Sequence, residues 1–253
     1  MNQPIFELNS VAYAYPQDEP VLQNLSLTVG AGERLCILGA NGCGKSTLLK
    51  ILAGLIFPQS GTFTAFGEAV EQKSFTDAFS KQYHRRVGFI FQDSEVQLFC
   101  STVREELAFG PLQLGFSRAE VQQRIGEVSA MLGLDKLLPK TPFRLSGGEK
   151  KKVAIASVLI MNPEVLILDE PTNGLDPRTR TWLLQLLGAL HGAGKTLLFA
   201  THNLELVPEV ADRAVLFGED HAVAADQPVG ELLKNAELLK SVNLVDETYR
   251  AQT

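Results

Sequence analysis

The sequence predicts an α/β fold with a largely parallel central sheet, an antiparallel β region at the N-terminus and a helical block inserted between core strands. Three observations predict it. Short apolar runs at Leu35–Leu38, Val87–Phe91, Val165–Leu168 and Thr196–Ala200 recur along the chain, as buried parallel strands require, and helical patterns separate them. Val11–Tyr15 and Leu25–Val29 instead alternate with period two, which suits half-buried antiparallel strands. Between Phe99 and Leu145 no strand signal occurs at all.

In chain order, the stretch from Pro16 to Pro20 is the turn between the two alternating strands. Leu35–Leu38 runs into a glycine-rich turn, followed by a helical pattern over Ser46–Leu55 that Gly54 and Pro58 end. Ser117-Arg-Ala-Glu120 is a capping box that opens a helix. Val121, Ile125, Val128 and Leu132 then form its apolar face. Another helix starts at Leu145-Ser-Gly-Gly-Glu149. The tail from Gly230 reads as an amphipathic helix that packs through Leu232, Leu233, Leu238 and Leu239. No repeat, low-complexity run or Pro/Gly linker divides the chain, so residues 1–253 are expected to form one domain, with a helical subdomain at about 100–150 and a helical tail at about 230–253.

The 253 residues carry 23 Lys+Arg against 29 Asp+Glu, a net charge of −6, with 45% hydrophobic residues. That composition excludes a disordered chain, a fibre and a disulfide-stapled mini-protein. A net acidic chain is a poor start for a nucleic-acid binder, and no nucleic-acid partner is expected. Cys36, Cys43 and Cys100 are odd in number and form no CxxC pair, which points inside the cell. The start MNQPIFELNSV lacks a basic stretch followed by an apolar core, so no secretory signal is expected. No run approaches 18 uninterrupted apolar residues, so the chain is expected not to span a membrane by itself.

The strongest motif is Gly39-Ala40-Asn41-Gly42-Cys43-Gly44-Lys45-Ser46, the GxxxxGK[ST] loop, placed between a predicted strand and a predicted helix. Its glycines let backbone N–H groups surround phosphates, and the following helix points its positive end at the same anion. Lys45 would reach the β- and γ-phosphates, and the Ser46 hydroxyl would ligate Mg²⁺. A second element agrees: the apolar run Val165–Leu168 ends in Asp169-Glu170. A solvated strand end could carry two carboxylates, but beside a phosphate loop Asp169 fits as the Mg²⁺ partner through water. Glu170 fits as the group that orients or activates the attacking water. Together the two motifs identify a P-loop nucleotide hydrolase.

Ser146-Gly147-Gly148 at a helix start is not demanded by packing or capping. Two adjacent glycines cost roughly 1 kcal/mol each in helix propensity, so they suggest close backbone approach to something. Here the sequence resembles the ATP-binding-cassette (ABC) ATPases, whose signature is LSGGQ, over about residues 5 to 245. The resemblance implies a RecA-like P-loop core with an N-terminal antiparallel β subdomain and an inserted helical subdomain, with ATP and Mg²⁺ as cofactors. It implies that Tyr15 stacks on adenine, although a sheet-face aromatic is the plain alternative, and that Gly39 through Thr47 hold the phosphates. Gln92 matches the glutamine that senses Mg²⁺ and the γ-phosphate, so Ser46, Gln92 and Asp169 are the implied metal set. His202 matches the switch histidine, and Gly174-Leu175-Asp176 matches the D-loop. Two such domains pack head to tail, so Ser146, Gly147, Gly148 and Asp176 are implied to act in trans. The catalytic residues implied are Glu170, His202 and Gln92. Glu149 stands where that signature has Gln, and Lys150-Lys151-Lys152 follow. Three consecutive lysines on a helix point in three directions, so a solvated helix start is expected rather than a nucleic-acid patch.

The stretch Gln92-Asp-Ser-Glu-Val-Gln97-Leu-Phe99 and then Thr102 to Pro111, with KKKVAIA and Lys240-Ser-Val-Asn-Leu244, is similar to the energy-coupling-factor ATPases, which power uptake of cobalt, nickel or vitamins. The implied partners are a second ABC ATPase subunit, a transmembrane coupling protein and a membrane subunit that binds the substrate. The implied place is peripheral, on the cytoplasmic face of the cell membrane. A soluble ABC ATPase serving iron–sulfur cluster assembly is the alternative. DNA-repair ABC ATPases carry a long coiled coil between loop and signature, and here only 100 positions separate Lys45 from Leu145. Cys43, next to a helix N-terminus that lowers thiol pKa, is expected either to react with alkylators or to be a small filler.

Overall fold

The computed structural model describes residues 4–17, 19–246 and 249, so the last positions of the expected tail, 247, 248 and 250–253, lie outside the described residues. Two sheets organise the chain. Strands β1 (Pro4–Ala14) and β2 (Pro20–Gly30) pair antiparallel, with Phe6 opposite Val29, Leu8 opposite Leu27 and Val11 opposite Leu25, all buried. This is the alternating pair expected from the sequence, and both strands run further than their alternating cores.

Strand β3 (Arg34–Leu38) leads into α1 (Lys45–Leu52), after which the chain turns at Gly54 rather than continuing as helix to Leu55. Strands β4 (Ser60–Ala65) and β5 (Glu68–Ala69) complete an antiparallel sheet of order β2-β1-β4-β5. Helix α2 (Asp77–Arg86) leads to β6 (Val87–Ile90). From Ser94 to Leu159 come only helices, a 3-10 turn at Pro142–Arg144 and their connections: α3 (Ser94–Gln97), α4 (Val103–Gln113), α5 (Arg118–Leu132) and α6 (Gly147–Leu159). The capping box expected at Ser117 and Glu120 is present, and Val121, Ile125, Val128 and Leu132 are buried as the spacing predicts.

Strand β7 (Val165–Asp169), helix α7 (Pro177–Gly192) and β8 (Thr196–Thr201) follow. Then come α8 (Val207–Val210), β9 (Arg213–Phe217), β10 (Val223–Pro228), α9 (Val229–Leu232) and α10 (Ala236–Ser241). The tail is thus two short helices rather than one, with Leu232, Leu233 and Leu239 buried. The larger sheet has the order β10-β9-β3-β8-β7-β6, parallel except for β10 at its edge.

Both faces of that sheet are covered, which is why its strands are continuous apolar runs. Cys36 and Leu38 point into a core with the helices α4, α5 and α6, while Leu35 and Ile37 point into a core with α1 and the antiparallel sheet. Alternate side chains leave a strand on opposite faces, so the central strands serve both cores. Register then aligns the carboxyl ends: Leu38 pairs with Thr201, and Asp169 with Ala200. The turns after β3, β7 and β8 therefore emerge side by side, where an open α/β sheet binds its ligand.

Candidate active site

The turn after β3 folds into a cradle for one physical reason. Gly44, the N-cap of α1, has φ 107, and a Cβ there would stand 2.5 Å from the Val21 carbonyl oxygen. Only glycine accepts both conditions. Helix α1 has no side-chain cap and no acidic residue in its first turn, so its N-terminal amides face the cleft free to meet an anion. The Lys45 ammonium arches over the same loop, donating to the Gly39 and Ala40 carbonyls at 2.8 and 2.9 Å.

Strand β7 delivers the carboxylates. Asp169 and Glu170 are each only 8% exposed. Burial pushes the Asp169 carboxyl above the usual range against the pull of its hydrogen bond from Ser46, and the nearby Glu170 charge adds to the rise. Asp169 Oδ1 is buried and has no hydrogen-bond partner. An orphaned buried carboxylate oxygen beside a serine hydroxyl is a hard-oxygen set that a divalent cation would satisfy.

Glu170 lies in the left-handed region at φ 41, a conformation that a glutamate holds only when its surroundings over-determine it. They do. Its N–H donates to the Ala200 carbonyl at 2.9 Å, its Oε2 accepts from the Thr201 hydroxyl at 2.9 Å, and its Oε1 accepts from the His202 N–H at 3.1 Å and meets His202 Nδ1 at 2.6 Å. The end of β8 thus fixes the carboxylate on both oxygens.

A cleft of about 420 Å³ brings these groups together. Asn41, Gly42, Gly44, Lys45, Ser46 and Thr47 line it from the loop and α1, and Tyr15, Gln92, Asp169, Glu170 and His202 line it from strand ends. The Tyr15 hydroxyl sits 3.3 Å from Thr47 Oγ1 at one side. Of the expected loop residues, Gly39 and Ala40 take part through their carbonyls. Cys43 turns inward, 3% exposed, and burial pushes its thiol up despite the neighbouring Lys45 charge. Burial at this position supports the filler reading of Cys43 over the activated thiol, since desolvation opposes the thiolate.

Ser146, Gly147, Gly148 and Asp176 do not line this cleft. Two expectations about them need correction. Capping does use Ser146: its hydroxyl and N–H donate to Glu149 Oε2 at 2.9 and 2.8 Å, and Glu149 N–H returns to Ser146 Oγ at 3.3 Å. Packing constrains Gly148 too, since a Cβ there would meet Thr179 Oγ1 at 2.6 Å, whereas Gly147 faces open space. Asp176 caps α7, accepting from the Arg178 and Thr179 N–H groups at 3.0 Å and from the Thr179 hydroxyl at 2.6 Å.

The lysines correct a third expectation. Lys150 pairs with Glu95 and Lys152 lies 4.7 Å over the Trp182 ring, but Lys151 is 2% exposed, so the lysine triplet is not a uniformly solvated stretch. Helical spacing carried that signal: Lys151 shares a face with Ala154, Ile155 and Val158, all buried. Asn173, which also lines the cleft, went unnoticed because nothing in its local pattern marks it.

The family model described as ABC transporter matches residues 22–173. The chain is 48% identical over 246 residues to a nickel import ATP-binding protein of Rhodobacter capsulatus, covering 96% of each chain. It is 41% identical over 242 residues to an energy-coupling factor transporter ATP-binding protein of Methanospirillum hungatei, covering 96% of this chain and 60% of that one. Among solved structures, cbiO1 from Clostridium perfringens, part of the transporter complex cbiONQ, superposes with TM-score 0.81 at 32% identity, covering 96% of each chain. A dimeric ATP-binding cassette in a post-hydrolysis state with ADP and Pi superposes with TM-score 0.78 at 27% identity, covering 88% of this chain and 98% of that one.

Proposed function

Because this chain belongs to the ABC transporter family, we propose that it is the ATP-hydrolysing subunit of an energy-coupling-factor type importer, one that takes up a metal ion such as nickel or cobalt, or a vitamin, through a separate transmembrane partner. The observation that carries the hydrolytic part is the convergence, at three adjacent strand ends, of an uncapped helix N-terminus, a lysine and two buried carboxylates. The relatives named for nickel import and energy coupling, and the cbiONQ subunit, support the importer part. Those relatives match this chain over 96% of its length and favour the importer over the iron–sulfur assembly alternative, which is not proposed.

In this reading the loop from Gly39 to Thr47 binds the ATP phosphates through backbone N–H groups, and Lys45 leaves its two carbonyls to reach the β- and γ-phosphates. Tyr15 supplies an aromatic face for adenine at the edge of the cleft. Ser46 Oγ, Asp169 and Gln92 would hold Mg²⁺, with the unpartnered Asp169 Oδ1 as the strongest sign of fit. The ion, when bound, neutralises charge on the phosphates. Glu170 takes a hydrogen bond from the attacking water and receives its proton as the new Pγ–O bond forms and the bond to ADP breaks. His202 and Thr201 keep that carboxylate aimed. The signature Ser146-Gly147-Gly148, and Asp176 beside it, complete the site of a second ATPase subunit. The chain then works as a peripheral subunit on the cytoplasmic face of the membrane, with the coupling protein and the substrate-binding subunit as separate chains. No described helix is long and apolar enough to cross a membrane.

The test is affinity purification from detergent-solubilised membranes, with mass spectrometry of what co-purifies. Co-purification of a multi-span membrane protein, and of a second cassette chain if the pair is mixed, is expected. A complex made only of soluble proteins would overturn the importer reading and leave ATP hydrolysis standing.

A further inference from the structure

Helix α6 begins at the signature turn and, from about one turn onward, holds the segment that carries Gln92. Lys151 Nζ donates to the Phe91 and Gln92 carbonyls, each at 3.3 Å. From the other side Gln97 acts as a double clip: its Oε1 accepts from the Phe91 N–H at 3.3 Å, while its Nε2 donates to the Ala154 carbonyl at 2.8 Å and to Ser157 Oγ at 3.2 Å. Both main-chain groups of Phe91, the residue that precedes Gln92, are therefore tied to one face of α6. Lys150 adds an ion pair to Glu95, which is largely exposed.

The lysine is the unexpected member. An ammonium 2% exposed costs heavily in desolvation, and burial pushes it down to about 8. Among the described residues no carboxylate forms an ion pair with it, and Asp93 and Asp169 act only through their charge at a distance. Packing alone would favour an uncharged side chain at this site, because a buried charge without a close counter-ion is worse than an apolar group of the same shape. What the ammonium adds is two hydrogen bonds that orient the peptide from which the Gln92 side chain reaches the cleft.

We propose that Lys151, with Gln97, is a positioning residue that makes Gln92 and the Ser146–Gly148 turn move as one body. Contact of the turn with a nucleotide held by a second subunit then sets the place of Gln92 in the chain's own cleft. The two nucleotide sites of a pair are thereby linked through a single helix. This rests on the hydrolytic reading above.

The test uses the purified full chain and two readouts. Lys151→Met keeps length and apolar volume and removes the donors, and Lys151→Arg keeps donors. Hydrogen exchange of the peptide covering 91–97 is expected to speed up in Lys151→Met and to stay near parental in Lys151→Arg. For ATP hydrolysis, Lys151→Met is expected to lose about tenfold or more in kcat, with KM for ATP and the thermal midpoint nearly unchanged, since misplacing one group by an ångström costs turnover rather than affinity. Lys151→Arg is expected to recover most of the turnover, and Lys150→Ala, which breaks only the pair with the largely exposed Glu95, to lose little. Unchanged exchange at 91–97 in Lys151→Met overturns the clasp. Faster exchange with parental kcat overturns its role in positioning, and a parallel fall of kcat, binding and midpoint assigns Lys151 to stability alone. A parent chain that hydrolyses no ATP either alone or with the second cassette chain that co-purifies removes the functional reading instead, and the exchange data then decide the clasp by themselves.

Discussion

Glu170 concentrates the chemistry and the strain at one residue. A glutamate at φ 41 stores energy on the order of 1 kcal/mol or more, and it is held there by its own N–H donating to the Ala200 carbonyl and by the hydrogen bonds its carboxylate accepts from the Thr201 hydroxyl and the His202 N–H. Glu170→Gln keeps the size and the acceptor oxygen and loses the base. ATP hydrolysis is expected to fall about 10²- to 10⁴-fold while ATP binding persists, so that an ATP-bound dimer accumulates on size exclusion. Parental hydrolysis by this variant would remove Glu170 from the reaction. Cysteine chemistry gives a second prediction at this scale. Cys43 is buried with its thiol pushed up, and half-buried Cys100 is raised to about 11 by burial and by the Glu106 carboxylate. With thiolate scarce at both, alkylation by iodoacetamide at neutral pH is expected to be slow, reaching Cys100 before Cys43 in peptide mass spectrometry. Rapid labelling of Cys43 with loss of ATPase activity would restore the activated thiol. The residues read correctly from sequence as a cluster, Lys45, Ser46, Asp169 and Glu170, are those whose neighbours in the chain already announce strand, turn and helix. The capping role of Ser146 was legible locally, since Ser146-Gly-Gly-Glu149 repeats the Ser-x-x-Glu spacing of Ser117 to Glu120, and so was the buried face of Lys151. What no local pattern records is that Lys151 reaches the Phe91 and Gln92 carbonyls across the fold.

Among elements, the phosphate-loop helix α1 shows how one helix end is finished by another. Its last carbonyls would be orphaned inside the aromatic cluster of Phe75, Phe79 and Tyr83. Helix α2 satisfies them: the Tyr83 hydroxyl donates to the Leu52 carbonyl at 2.6 Å, and His84 Nε2 lies 3.1 Å from the Ala53 carbonyl. His84 Nδ1 meets the Ser80 hydroxyl at 3.2 Å, so a neutral imidazole with its proton on Nε2 satisfies both contacts. Burial lowers the His84 pKa below 6.5, outweighing the pull of the α1 end, which favours a cation. Above pH 6.5 both folded and unfolded chains hold it neutral. Below that, the unfolded chain takes up a proton that the folded one resists, so stability is lost as pH falls. The thermal midpoint is expected to drop between pH 7.5 and 5.5, and to drop less in His84→Gln, which keeps a donor for Ala53 and cannot titrate. Equal drops would place the acid sensitivity elsewhere. The elements legible in the sequence were those with a strong local pattern: the apolar runs of β3, β6, β7 and β8 and the capped face of α5. Strands β4 and β10 carry Ser, Thr, Gly, Asp and Gln, and became strands because β1 and β9 offered an edge, which no local pattern records.

At the scale of the whole molecule, the proposed function makes the cleft and the Ser146–Gly148 turn two halves of one nucleotide site, and the chain keeps them apart. The cleft holds the loop, the metal set and Glu170, while the Ser146–Gly148 turn lies outside its lining with Gly147 facing open space. In an isologous pair each chain lends its turn to the other's cleft, so a defect in the loop and a defect in the turn can be placed on different chains. Lys45→Ala removes the ammonium for the phosphates, and Ser146→Arg fills the turn with a bulky cation. Each variant alone is expected to be inactive. Mixed in equal amounts, chains that pair with themselves form mixed dimers in half of the cases. Each mixed dimer then has one intact site and one doubly defective site, so the mixture is expected to recover about a quarter of parental activity. Measured steady-state hydrolysis near that fraction, rising with total protein concentration, would show both the exchange of halves and self-pairing. No recovery, with each variant still folded and dimeric, would mean that the site is completed within one chain. No recovery from chains that stay monomeric with ATP would assign the second half of the site to a different ATPase subunit, and adding the co-purified partner should then restore partial hydrolysis to either variant, because each forms one intact site with that partner.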